Sequence, residues 1–327
     1  AALCWSGGFL VSALGMHLHN IWFVYLGYGV LGGIGLGLGY ISPVSTLIKW
    51  FPDRPGMATG MAIMGFGGGA FIASPLSVSL MGMFSSSTHI GVAETFVCLG
   101  LIYLVFMMVG AAIVRVPAED WKPAGWQPSA QPKKLMTSAN VHVNEAWKTP
   151  QFWCIWVVLC MNVTAGIGVL GQASAMSQEM FGVTAAVAGG IVGFMSLSNM
   201  LGRFFWASLS DLIGRKNTYF CFFILGIGLY SLVPHTGSLG SVGLFVICTA
   251  VIMTMYGGGF ATVPAYLKDM FGTKYVGAIH GRLLTAWAVA GVLGPVLVNY
   301  IRQYQIDSGI PKAQAYNTTM YIMAGLL

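Results

Sequence analysis

The spacing of the apolar runs constrains this chain most. The sequence is almost continuously apolar and is interrupted by short polar stretches at regular intervals. A helix needs about 20 apolar residues to cross a bilayer core. By that measure the sequence predicts ten spans, near residues 1–16, 21–48, 57–83, 92–114, 151–177, 183–209, 218–234, 241–266, 277–301 and from 315 onward. The runs do not alternate polar with apolar, so helices are expected rather than barrel strands. Only 7% of the 327 residues are charged and 56% are hydrophobic, whereas roughly a quarter of a soluble domain is charged. Folded in water, such a chain would expose contiguous apolar patches far beyond what soluble proteins carry. The composition excludes a soluble enzyme, a nucleic-acid binder and a disordered scaffold. It predicts an all-α membrane protein.

Charge then has to be read by position. The long polar stretch, Arg115 to Pro150, contains Arg115, Lys122, Lys133, Lys134 and Lys148 and the prolines 117, 123, 128, 132 and 150. It reads as a linker (115–150) between an N-terminal half, 1–114, and a C-terminal half, 151–327. Alternating the loops outward from it places Lys49, Arg54, Arg215, Lys216, Lys268, Lys274 and Arg282 on its side. The opposite side holds Arg302 and Lys312, so bases divide twelve against two and the linker is expected to be cytoplasmic. The loops at His17–Asn20, Ser85–His89, Gln178–Glu179 and His235–Ser238 then face outward. The six cysteines all lie within apolar runs, without metal-ligand spacing, so they are expected to be small apolar fillers. No metal and no cofactor is expected.

An internal repeat appears at an offset of 221. GLGYISPVSTLIKWFPDRPGMATG, from Gly37, matches GGFATVPAYLKDMFGTKYVGAIHG, from Gly258, with Pro43 on Pro264, Gly56 on Gly277 and Gly60 on Gly281. Each copy reads as a helix, a turn and a second helix. Same-direction repeats flanking a linker imply two parallel helical halves.

The segment Ala207-Ser-Leu-Ser-Asp211-Leu-Ile-Gly214-Arg215-Lys216 resembles the signature G-x-L-[AS]-D-x-x-G-R-[KR] of the major facilitator superfamily, with Ala207 in place of the first Gly. Physically, Asp211 ends a helix, Gly214 permits a tight turn, and Arg215 and Lys216 hold the basic side. An Asp–Arg pair at helix ends can latch neighbouring helices in one conformation. Asp53 and Arg54 occupy the turn of the first repeat copy and are candidates for the same latch. A closer resemblance covers nearly the whole chain. The turn Lys49-Trp50-Phe51-Pro52-Asp53-Arg54-Pro55-Gly56-Met57-Ala58-Thr59-Gly60 is similar to that of the oxalate–formate antiporter family, as are Tyr256 to Phe260, Pro264 and Gly277 to Arg282. The resemblance implies a twelve-helix bundle of two six-helix halves. Asp211 less 221 falls eleven positions before Ala1, so two helices upstream and most of a last one are expected beyond the ends of this sequence.

Arg203 is the leading site candidate. It lies eight residues before Asp211, about 12 Å into the span, and no acidic residue stands within four positions of it on its own helix. A charge at that depth is costly and usually marks a substrate path. A guanidinium there suits a carboxylate, bound in a bidentate pair. The family resemblance implies a carboxylate-binding Arg on this helix, matched by Arg203, and a Lys on the last helix but one, where this chain has Trp287. One cation fewer points to a small monocarboxylate, pyruvate-, lactate- or formate-like, rather than oxalate. The resemblance also places Tyr40, Tyr256 and Phe260 along the central cavity, with Tyr40 and Phe260 one residue apart under the repeat. Asn162, Thr164 and Gln172 are further polar candidates. The glycines 33, 35, 37 and 39 sit in mid-span without a Lys and are expected to pack helices closely.

These features together predict a secondary active transporter of a small organic anion, working by alternating access as a monomer in a bacterial inner membrane. A counter-anion or a proton would couple it, the bilayer would be its other partner, and no reaction is catalysed. The alternatives are a dicarboxylate antiporter of the oxalate–formate type, an efflux pump for amphipathic compounds, and a non-transporting membrane sensor.

Overall fold

Each predicted apolar run folds as a helix in the computed structural model, which describes every residue except 87–88, 119–120, 124, 126–136 and 138, and the side chains of 70 and 74. The first run is α1 (Ala2–His17). The second is continuous through α2 (Ile21–Val24), a stretch of wider π-type turns (Tyr25–Leu31) and α3 (Gly32–Trp50). Next come α4 (Pro55–Phe84) and α5 (Val92–Ile113), then a short helix in the polar stretch, α6 (Val143–Ala146). The second half of the sequence forms α7 (Pro150–Phe181), α8 (Ala185–Ile213), α9 (Arg215–Ser238) and α10 (Val242–Phe271). The ninth run breaks at Leu284 into α11 (Val276–Leu283) and α12 (Thr285–Asp307), and α13 (Asn317–Leu326) is the tenth. Among the described residues eight helical segments are long and apolar enough to cross a membrane, and α1 and α13 are shorter. Lys133, Lys134, Pro128 and Pro132 of the expected linker lie outside the described residues.

Local chemistry sets the helix starts. The side chains of Thr149, Thr184 and Ser241 accept hydrogen bonds from backbone N–H groups in the first turns of α7, α8 and α10, which satisfies donors that a helix end leaves open. Pro150 follows its cap at the first helical position, where its missing N–H costs nothing. The repeat also recurs in the structure. Helices end at Trp50 and Phe271 and restart at Pro55 and Val276, in each case 221 residues apart.

The chain forms two compact units. One comprises Ala1–Trp50 and Gly69–Pro123, the other Phe51–Gly68 and Ala124–Leu327. In the first, α1 packs on α3 and α5 around Phe9, Leu80 and Leu99, with Trp5, Phe96 and Tyr103 against them. Gly35 serves this packing, because a Cβ there would stand 2.4 Å from the Trp5 nitrogen, whereas Gly33 and Gly37 face open space. In the second unit α10 is the most enclosed span. It packs on α8, α9 and α7, while α12 lies along α7 and α13 along α9. The α8–α10 approach depends on Gly202, where a Cβ would fall 2.3 Å from the Thr254 backbone. Close approach through a small residue is how helices gain contact when lipid removes the hydrophobic drive.

Candidate functional site

Arg203 lies on α8, is 3% exposed, and sits among groups from three other segments of the same unit. Its Nε donates to Asn199 Oδ1 at 2.9 Å, one helical turn earlier. Its guanidinium carbon lies 5.4 Å from the Phe66 ring centroid and 5.3 Å from that of Phe260. Both distances are within the range in which an aromatic face attracts a cation. Trp287, on α12, packs against Phe260 at 5.4 Å and Phe66 at 5.8 Å. Trp287 and the Arg203 charge both lie near the hydroxyl of buried Tyr256. Arg203, Tyr256, Phe260 and Trp287 were singled out separately in the sequence, and the fold brings them into one cluster. Tyr40 is buried in the other unit, on α3.

Two members of the cluster, Phe66 and Asn199, were not anticipated. Phe66 carried a legible signal, since it stands 221 residues before Trp287 and the two rings touch. Asn199 lies one turn from Arg203 on the same face, which spacing alone gives. Chemically, a guanidinium held by an amide between two aromatic faces forms a dry, positively charged seat. A carboxylate suits it, because the pair strengthens where water is excluded.

A second charged cluster closes the other end of α8. Asp211 accepts the backbone N–H groups of Gly56 at 3.0 Å and Met57 at 2.9 Å, at the start of α4. A carboxylate there also meets the positive end of that helix dipole. Arg215 pairs with Asp211 at 2.6 Å and with Asp269 of α10 at 3.1 Å, and its third contact is Ser210. Gly214 makes the corner with φ +87°, a conformation that side chains with a Cβ rarely adopt. Lys268 reaches over to donate to the Pro52 carbonyl at 3.0 Å. Asp211, Gly214 and Arg215 are thus brought together in this cluster. Asp53 and Arg54 instead face each other at 3.9 Å on the surface. Lys216 lies over the Phe220 ring at 5.7 Å and makes no ion pair among the described residues. Asp269 and Lys268 were missed, although adjacent charges at the end of an apolar run are a visible signal.

A third cluster sits at the far end of α7. Arg302 of α12 binds both carboxylate oxygens of Glu179, at 3.2 Å for one of them, and the Tyr316 hydroxyl bonds the same acid at 2.8 Å. Burial and that bond push the Tyr316 phenol above its usual range. Of the other polar candidates, Gln172 donates to Asn299 at 2.8 Å, tying α7 to α12. Asn162 and Thr164 are buried on α7, the Asn162 amide against the backbone of Gly259.

The sequence profile of the Major Facilitator Superfamily matches residues 1–295. The chain belongs to this superfamily. Its members are multi-pass membrane proteins, in agreement with the spans described above. Facilitator-superfamily relatives include the oxalate:formate antiporter of Oxalobacter formigenes, 30% identical over 264 residues, which are 81% of this chain and 59% of that protein. Apicoplast pyruvate carrier 1 of Toxoplasma gondii is 25% identical over 331 residues, covering 84% of this chain and 59% of the carrier. Human monocarboxylate transporter 11 is 26% identical over 306 residues, 91% of this chain and 60% of the transporter. The chain thus spans about three-fifths of the length of these relatives. Among solved structures, the fucose:proton symporter of E. coli superposes with a TM-score of 0.64 at 13% identity, covering 99% of this chain and 81% of the symporter. That likeness shows the facilitator fold.

Proposed function

We propose that this chain acts as a secondary active transporter of a small monocarboxylate, of pyruvate, lactate or formate size, and that the substrate carboxylate binds Arg203. The observation that carries this reading is the buried Arg203 guanidinium set between the Phe66 and Phe260 rings, with Trp287 packed on both. The similarity to an oxalate:formate antiporter, a pyruvate carrier and a monocarboxylate transporter supports a carboxylate as cargo. Trp287 brings an apolar face but no charge to the seat, so a dianion would leave one carboxylate poorly compensated. In this reading Tyr40 lines the cavity from the N-terminal half, 1–114. The linker 115–150 is cytoplasmic in a bacterial inner membrane, and the protein works as a monomer by alternating access. Asp211 and Arg215 bias the conformational equilibrium and do not touch substrate.

Uptake of labelled carboxylates into liposomes tests the assignment. Pyruvate is expected to be preferred over oxalate by at least about tenfold, or about 1.4 kcal/mol. Trp287→Lys supplies a second cation and is expected to narrow or reverse that preference. Equal or better competition by oxalate in the wild type would overturn the monocarboxylate reading and favour the dicarboxylate antiporter.

A further inference from the structure

The second unit has a lateral groove that the transport reading does not use. It is a cavity of about 180 Å³, lined by Cys154, Ile155 and Val158 of α7, Lys216, Tyr219, Phe220 and Phe223 of α9, and Tyr266 of α10. α7 and α9 both pack on α10, and the groove is the notch between them. Its wall is rigid. Tyr219 is buried, its hydroxyl donates to the Gly259 carbonyl at 2.6 Å, and its ring packs against Phe223 and Tyr266. The lining is apolar and aromatic except at one end, where the Lys216 ammonium lies over the half-exposed Phe220 ring.

The groove's depth and charge identify its occupant. Lys216 is the second residue of α9, at the end of a span, where lipid headgroups sit. Val158 and Phe223 each lie eight residues inside their helices, about 12 Å along the axis. The groove therefore runs from headgroup level into the hydrocarbon region. Its volume is below the roughly 300–1,000 Å³ that encloses a compact drug-sized ligand, so it suits a thin occupant such as part of one acyl chain. A single cation at the mouth, making no ion pair among the described residues, complements a phosphate.

We propose that this groove binds one phospholipid with a net anionic headgroup, its phosphate on Lys216 and the upper part of one acyl chain along Ile155, Val158, Phe220 and Phe223. The site is separate from the Arg203 cluster and does not depend on which anion the protein transports.

Native mass spectrometry of the purified, delipidated chain, reloaded with defined lipids, tests this proposal. The wild type is expected to retain phosphatidylglycerol over phosphatidylcholine by about fivefold, the effect of one lysine near a headgroup. Lys216→Gln is expected to bring the two lipids to parity, and Val158→Trp, which fills the groove without touching the charge, to lower retention of both. Lys312→Gln, a base at the opposite end, is expected to leave retention unchanged, and unfolding temperatures confirm that the variants are folded. Glycerol phosphate is expected not to compete, because it lacks the chain. Equal retention of the two lipids by the wild type would overturn the proposal. So would a preference that survives Lys216→Gln, or full competition by glycerol phosphate, which would mark a headgroup-only anion site.

Discussion

Arg203 and Arg215 are twelve residues apart, one within α8 and one opening α9, and both are buried, yet their surroundings differ in kind. Arg215 is held by two carboxylates and a serine. Arg203 is set against a neutral amide and the faces of two aromatic rings. A guanidinium matched by carboxylates from two helices is part of the scaffold. Removing it leaves acids buried without compensation. A cation–π contact is worth only about 0.5–2 kcal/mol and does not cancel a guanidinium's charge. The comparison sets the proposed latch apart from the proposed binding seat on the same stretch of chain. The Asp211 contacts sharpen it, since they join the corner after α8 to Gly56 and Met57, more than 150 positions earlier. Contacts between such distant parts of the sequence are the ones an alternating-access cycle can break and remake.

The largest expected effect would break the comparison outright. Arg215→Met is expected to lower stability by about 3–5 kcal/mol, because Asp211 and Asp269 lose their partner, and Arg203→Met by clearly less. Thermal unfolding in detergent measures both, and equal losses would show that the two arginines are alike. Next in size is Asp211→Asn, which keeps the shape and removes the charge. Transport is expected to slow several-fold while substrate affinity stays within about threefold of wild type; a large affinity loss with unchanged conformational exchange would place Asp211 in the binding seat. The smallest effect is expected at the third cluster. Glu179→Gln weakens the tie between α7, α12 and Tyr316, a half-buried pair worth about 1 kcal/mol. It is expected to lower the unfolding temperature by a few degrees with transport intact, and abolished transport would contradict a purely structural role.

Much of this was legible in the sequence because the bilayer imposes simple rules. Span length gave the helices to within a few residues over most of the chain, and the ends at Trp50, Pro55, Phe271 and Val276 lie two, two, five and one residues from the expected 48, 57, 266 and 277. Lateral placement was less legible. The break at Leu284 has no proline to announce it, only Gly281 a turn earlier. Asp269 completes the charged cluster around Arg215 from a helix that is distant in sequence, which a local motif does not show. Lys216 shares the motif with Asp211 and Arg215, but the helical turn points its ammonium to Phe220. Sequence adjacency gives the charge, and only the helix phase decides which way it faces. At the Arg203 cluster, depth singled out Arg203, while the contribution of Phe66 needed the repeat to be followed through to Trp287.

The most direct test is equilibrium binding of pyruvate to the wild type, Arg203→Lys and Arg203→Gln, each shown to unfold at a temperature close to wild type. Losing a charge-assisted pair in a buried site costs about 2–5 kcal/mol, so the Gln variant is expected to bind at least about thirtyfold more weakly. The Lys variant, which keeps the charge but not the bidentate geometry, is expected to fall between the two. Wild-type affinity in a folded Arg203→Gln protein would contradict the account.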